Sequence, residues 1–381
     1  MTVYQIFKQE LKPLGKWNVS LFLLLFALPG IYTLLFGFTY SKNVVNHLPT
    51  VVFDEDNSSM SRQIIAAYDD SDRFDLLFYA KSFEELQNII GKGDAYVGIY
   101  IPPQFSHDIK RGMPTSVGMI INSTNMIFGN SAITASQEIN VNVLIKAGQQ
   151  LIEAAGQPPA EALRTAYPIQ VKIRILNNPT NNYTNFLLLG LIANGMQIGL
   201  LLYVSSVLCK EYKRINLWDK TATLKIILGK FLACWLPATF SLCLCELLAK
   251  LVFAVPLRAP IWQFIILSAA FIFNFTSLCF IFSAIFTNPI NAVQLPLGYI
   301  MPGLLYSGLT WPLDWVDSVP TFIGSLMPLY YFAVPLRALS LQGFSIDYFS
   351  CFGKLLGAGV ILLILAGYMF QYNRNRFRCE Q

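Results

Sequence analysis

Ionisable residues are scarce where this chain is most apolar, and Glu246 and Lys250, four apart in CELLAKLVF, are the exception. Four residues is about one helical turn, so the two can meet on one helix face. An isolated charge at mid-bilayer costs about 2.5 to 3.5 kcal/mol on insertion scales, so pairing or snorkelling is expected there. The spacing fits a structural ion pair first and a polar contact along a path second. The acidic run Asp54, Glu55 and Asp56 is another candidate. Beside Asn57, Ser58 and Ser59 it reads as a solvated turn and helix cap more readily than as a metal site.

Enzyme chemistry has little to stand on. The two histidines, His47 and His107, lie near no nucleophile or metal-ligand pattern, and GxSxG and HExxH do not occur. Gly-Lys occurs four times, at Gly15, Gly91, Gly229 and Gly353, followed by Trp, Gly, Phe or Leu. A phosphate loop needs Ser or Thr at that position, so if ATP drives this protein another chain binds it. The seven cysteines form no CxxC pair, and the CLC at 243 to 245 reads as apolar filling. No catalytic, cofactor-binding or metal residue is expected in the chain.

The elements that hold these residues are mostly membrane-like. The 381 residues are 54% hydrophobic and 13% charged, against about 25% charged in soluble domains. Residues 40 to 183 hold 14 of the 22 acidic and 11 of the 27 basic residues, and the remainder is apolar runs. About 20 residues are needed to cross a bilayer as a helix, which predicts spans at 19–39, 184–208, 228–253, 262–286, 292–308 and 353–372. The first is too long for a signal-peptide core and is expected to stay as an anchor. Basic residues group before the first span (Lys8, Lys12, Lys16), between the second and third (Lys210, Lys213, Arg214, Lys220, Lys225, Lys230) and in the tail 373–381 (Arg374, Arg376, Arg378). With six spans these groups share one face, which the positive-inside rule makes cytoplasmic. The net charge of +5 therefore marks topology and not a nucleic-acid surface. The fold class is a polytopic α-helical membrane protein with six transmembrane helices and an extracytoplasmic α/β domain between the first two.

Within 1–18, Val3, Ile6, Phe7, Leu11 and Leu14 recur at helical spacing, as in an interfacial amphipathic helix. In 40–183, strands are predicted at TVVFD, FDLLFYA, AYVGIYIP and SVGMIIN, with helices from about Ser58 and Ser82 and a short one after Pro103. Ser82 with Glu85 predicts a capping box. A long helix is expected over 128–155 with Ile133, Ile139, Val143, Leu144, Leu151 and Ile152 as its apolar side. IQVKIRIL at 169–176 alternates as a half-exposed strand does.

The segment YSGLTWPLDWVDSVPTFIGSLMPLYYFAVPLRALSLQG, residues 306 to 343, is not a plain connector. Its prolines forbid one continuous helix, and Trp311, Trp315, Tyr330 and Tyr331 suit the headgroup level, so 309–352 is expected to enter the membrane and return as short helices. It resembles the outer segment of permease subunits of type-2 ATP-binding-cassette (ABC) exporters, in the branch with a large extracytoplasmic domain after the first span. The matching positions are Ser307, Gly308, Pro312, Pro320, Pro328, Tyr331, Phe332, Arg337 and Gly343. The resemblance implies a type V exporter-like fold and an outer gate formed by these residues, with Trp311, between two permeases.

The segment 209–227, with CKEYKRINLWDKTATLKIILGK around it, resembles the family's coupling loop at Glu211, Arg214, Thr223, Gly229 and Lys230. Ile215 and Asn216 stand where the family has Gly-Thr, and Leu224 where it has proline. Asn216 and Asp219 lie in the same loop and are expected to share its coupling role. The resemblance implies a separate ABC ATPase that carries ATP and magnesium, a second identical or homologous permease, and a bacterial inner membrane with both termini cytoplasmic. The exported domain is a candidate dock for a periplasmic adaptor. The implied function is export of a drug-like, lipid-like or other amphiphilic substrate. The alternative is a membrane receptor whose external α/β domain senses a ligand. It is disfavoured because no soluble signalling domain follows the spans.

Overall fold

The computed structural model describes residues 2–15, 23–41, 45–168, 174–212 and 222–379, with backbone alone for 12–15 and 377–379. The chain divides into a helical unit, Met1–Asn43 with Ile175–Gln381, and an inserted unit, Val44–Arg174.

The helical unit opens with α1 (Val3–Gly15), then a π turn at Leu23–Ala27 that leads into α2 (Leu28–Thr39). The inserted unit follows with β1 (Leu48–Asp54), α3 (Ser59–Asp69), β2 (Phe74–Tyr79), α4 (Phe83–Lys92), β3 (Val97–Ile101), α5 (Phe105–Lys110), β4 (Gly118–Ile121), α6 (Met126–Ala154) and α7 (Pro159–Ala166). The helical unit then resumes with α8 (Tyr183–Val204), α9 (Thr223–Phe253), α10 (Ile261–Ile285), α11 (Pro289–Ile300), α12 (Ser318–Ser325), α13 (Pro328–Leu341) and α14 (Tyr348–Cys379).

Among the described residues, four helices are long and apolar enough to cross a membrane: Tyr183–Tyr212, Thr223–Phe253, Ile261–Ile285 and Tyr348–Arg376. The pair α12 and α13, bent by 93°, gives up to a fifth. The predicted first span, 19–39, is described from Leu23 and is a shorter apolar helix, Leu23–Thr39. The predicted fifth span, 292–308, is not one helix. Its α-helical part ends at Ile300, and two 3-10 turns, Met301–Gly303 and Leu305–Ser307, carry the chain on. Pro302 has no N–H to continue the ladder, which accounts for the break.

Small residues set how closely the helices approach. Gly195 and Gly199 of α8 face α2 and the turn before it: an added Cβ would lie 2.6 Å from the Tyr32 ring at Gly195 and would collide with the Leu24 carbonyl at Gly199. This is the small-xxx-small contact that membrane helices use when apolar burial alone gives no preference for one another over lipid. Ser241 of α9 also donates to the Leu25 carbonyl. Buried Phe231, Phe271, Phe275, Phe280, Phe332 and Phe370 fill the middle of the bundle.

The inserted unit has strand order β2-β1-β3-β4, with β1 parallel to β2 and β3, and β4 antiparallel to β3. Alternation along β1 sends Val52 into one core with Ile64, Tyr68, Ala132 and Ala135 of α3 and α6. Val51 and Phe53 pack the other way, against Leu86 and Ile90 of α4. The cap of α4 differs from the predicted box. Ser82 Oγ accepts from the Glu85 amide at 3.1 Å, but the Glu85 carboxylate accepts from the Lys81 amide at 2.7 Å, one residue further out. A reciprocal box does form at α3, between Ser58 and Ser61. The apolar side predicted for the long helix is revised in part. Ile139 and Val143 pack half-buried on the core as expected, but the fully buried positions of α6 there are the small Ala132 and Ala135, Gly129 faces Ser123 in the turn after β4, and Ile133, Leu144 and Leu151 are exposed. Of the strand predicted over 169–176, residues 169–173 lie outside the described residues, and 174–176 are not in a strand.

Candidate functional site

Polar groups in the helical unit gather at two ends, and the loop end is the richer. There the chain leaves α8, enters α9 and leaves α10. Ser283 Oγ accepts from the amides of Leu208 at 2.8 Å and Cys209 at 3.2 Å, which satisfies backbone donors beyond the last turn of α8. One carbonyl, that of Ala284, accepts from Tyr212 Oη at 2.7 Å and from Asn373 Nδ2 of α14 at 2.8 Å. Arg374 Nη1 donates to Thr223 Oγ1 at 3.1 Å, which ties α14 to the first residue of α9.

At the centre of this end lies Lys230, 1% exposed. Its ammonium meets Glu211 Oε1 at 3.0 Å and also Glu10 of α1. Replacing Lys230 by an uncharged residue costs about 3 to 5 kcal/mol, because it takes away the buried cation that two acids share. Next to it, Gly229 lets α1 come close: an added Cβ would lie 2.8 Å from Ile6 and 3.1 Å from the Val3 carbonyl.

Of the residues read as coupling, the structure therefore joins Glu211 to Lys230 and places Thr223 against Arg374. Arg214, Asn216 and Asp219 lie outside the described residues. Lys230 is too buried to touch a docked partner and acts inside the bundle. Glu10, Tyr212, Ser283 and Asn373 were missed by the sequence reading. Glu10 had a signal: it follows Ile6 by four residues, on the apolar stripe of α1.

The proline-rich end is held by Arg337. Its Nη2 donates to the Gly308 carbonyl at 3.0 Å and its Nη1 to that of Leu309 at 3.3 Å. Its guanidinium carbon stands 4.4 Å from the centre of the Phe186 ring of α8. Gly308 has φ +77°, a left-handed conformation that costs a glycine little. Ser307 Oγ closes the preceding turn by donating to Leu304 O at 2.7 Å. Leu309 packs on Gly190, where no Cβ would fit. Pro328 opens α13, Phe332 stacks on Phe271 with centroids 4.2 Å apart, and the Tyr331 ring faces Lys354. Pro320 falls inside α12. Trp311, Pro312 and Trp315 are exposed. The residues expected to form the gate thus divide into a packed latch and an exposed aromatic rim.

The Glu246–Lys250 pair is corrected. Glu246 is buried and accepts from Ser268 Oγ of α10 at 2.8 Å, whereas Lys250 is exposed, and among the described residues no ion pair joins them. A hydroxyl partner avoids drawing a second charge out of water. The acidic run at 54 to 56 is committed to structure. Asp54 accepts from the amides of Asp56 and Asn57 and from Ser61 Oγ, Asp56 from the Ser106 amide, and Glu55 from Tyr100 Oη.

Long apolar helices, bound at one end by a polar knot and at the other by a proline-broken latch, define a multi-pass membrane protein. Its family follows from comparison with known proteins: the model of the ABC-2 family transporter protein matches residues 18–368, and the chain belongs to that family. It is similar to the probable multidrug ABC transporter permease YbhS of Escherichia coli strain K12, 23% identical over 180 residues, 46% of this chain and 48% of that protein. It is also similar to ABC transporter G family member 20 of Dictyostelium discoideum, 24% identical over 190 residues, 48% of this chain and 26% of that protein. The matched stretch thus spans about half of YbhS and about a quarter of the Dictyostelium protein.

Proposed function

We propose that the chain is the permease of an ATP-driven exporter that moves a drug-like, lipid-like or other amphiphilic molecule out of the cytoplasm or the inner leaflet. It works as one of two permeases, identical or homologous, with two ATPase subunits that hold ATP and magnesium. The membrane is a bacterial inner membrane, crossed six times with both termini cytoplasmic and the inserted unit outside, where a periplasmic adaptor can dock.

The observation that carries this reading is the loop end. Residues 213–221 are flanked by Glu211 and Thr223, and each flank is bonded to a different helix: Glu211 to Lys230 of α9, Thr223 to Arg374 of α14. A push on the loop is then shared by helices that reach towards the proline-rich end. When the ATPase pair closes, the loop passes that movement on, and the path between permeases opens beneath the latch around Arg337. The multidrug description of YbhS supports an amphiphilic substrate.

The test is coupling in the assembled complex. Glu211→Ala combined with Arg214→Ala is expected to leave the complex assembled while export falls on the order of tenfold and ATP hydrolysis no longer follows it. Unchanged export would remove the loop from the mechanism.

A further inference from the structure

Three segments meet on one ammonium. Lys230 belongs to the second turn of α9, Glu211 to the stretch that enters the 213–221 loop, and Glu10 to α1, remote in sequence from both. The Lys230 side chain is 1% exposed, that of Glu211 8% and that of Glu10 28%. The trio is thus shielded on the bundle side and open at α1. Beside it, the missing side chain of Gly229 lets Ile6 and the Val3 carbonyl approach, so α1 packs closely on α9 at this point. Ile6 is itself fully buried in the bundle core. An amphipathic helix that only floats on a leaflet needs no half-buried acid on its apolar stripe, and placing one there is costly unless it is paired.

We propose that α1 is a second output of the coupling loop, and that Glu10 is the positioning residue through which it moves. Lys230 holds Glu211 and Glu10 at once, so a displacement that reaches Glu211 is passed to α1 through one shared cation. This inference rests on the coupling role proposed above for the loop. The charge count gives it a signature. Loss of Glu10 leaves Lys230 its bond to Glu211 and spares the fold. Loss of Lys230 removes the buried cation that both carboxylates share and does not.

The test uses the complete complex in lipid nanodiscs, with a cysteine at the exposed Gln5 of α1 and a maleimide probe, with and without ATP. The labelling rate is expected to change several-fold on ATP binding. That response should vanish in Glu10→Gln and persist in Glu10→Asp, which keeps the carboxylate. Lys230→Met is expected to reduce the yield of folded complex, whereas Glu10→Gln is not. An ATP response that is absent from the parent complex, or undiminished in Glu10→Gln, would overturn the proposal. Should that happen while Glu211→Ala with Arg214→Ala still uncouples export, the α1 joint alone fails. If the double variant is also fully coupled, the coupling role of the loop fails with it.

Discussion

Arg337 shows what a single residue does in this protein: two carbonyls and a ring are held by one guanidinium, which a lysine cannot reproduce because it lacks the planar fork. Arg337→Lys is therefore expected to assemble with its partners but to export several-fold more slowly, measured as transport per assembled complex. Wild-type rates in that variant would show that the latch is not needed. The residue scale is also where the sequence was least explicit. Glu246 announced itself by lying in an apolar span, but its partner Ser268 did not, because a serine in a membrane helix is common and carries no mark of the acid it will meet. Lys230 and Glu211 were each legible as positions that resemble the coupling loop, yet neither their pairing nor their burial was, since burial depends on α1 arriving from the far end of the chain.

Among elements, the packing of α8 on α2 depends on Gly195 and Gly199, whose replacement by a large side chain has no room to be absorbed. Gly199→Leu is expected to lower the thermal midpoint of the purified protein by several degrees or to prevent its accumulation in the membrane; an unchanged midpoint would contradict the contact. In the inserted unit, Ser58 caps α3 and also closes a box with Ser61. Ser58→Ala is expected to cost about 1 kcal/mol, read in the denaturant midpoint of the unfolding transition assigned to this unit. The period-2 strands and the starts of α3 and α4 could be read from alternation and from serine caps. The buried face of α6 was legible only in part: Ile139 and Val143 pack on the core, but its fully buried positions there are the small Ala132 and Ala135, which hydropathy does not single out, and Ile133 and Leu144 stay outside. The break after Ile300 was written in Pro302, but hydropathy over 292–308 outweighed it.

The whole molecule is governed by where charge is allowed. Basic residues flank the apolar helices, and most of the acids lie in the inserted unit. On the proposed topology, cysteines placed at 60 and 110 should react in intact spheroplasts with reagents that do not cross the inner membrane, and one at 225 should not. The reverse pattern would overturn the orientation. Whether this ABC-2 family chain is the permease of an ATP-driven exporter is decided by purifying the tagged protein from its native membrane in mild detergent and identifying its companions by mass spectrometry. A cassette ATPase in equal amount with the permease is the expected result. Intact permease recovered repeatedly without any ATPase would contradict it.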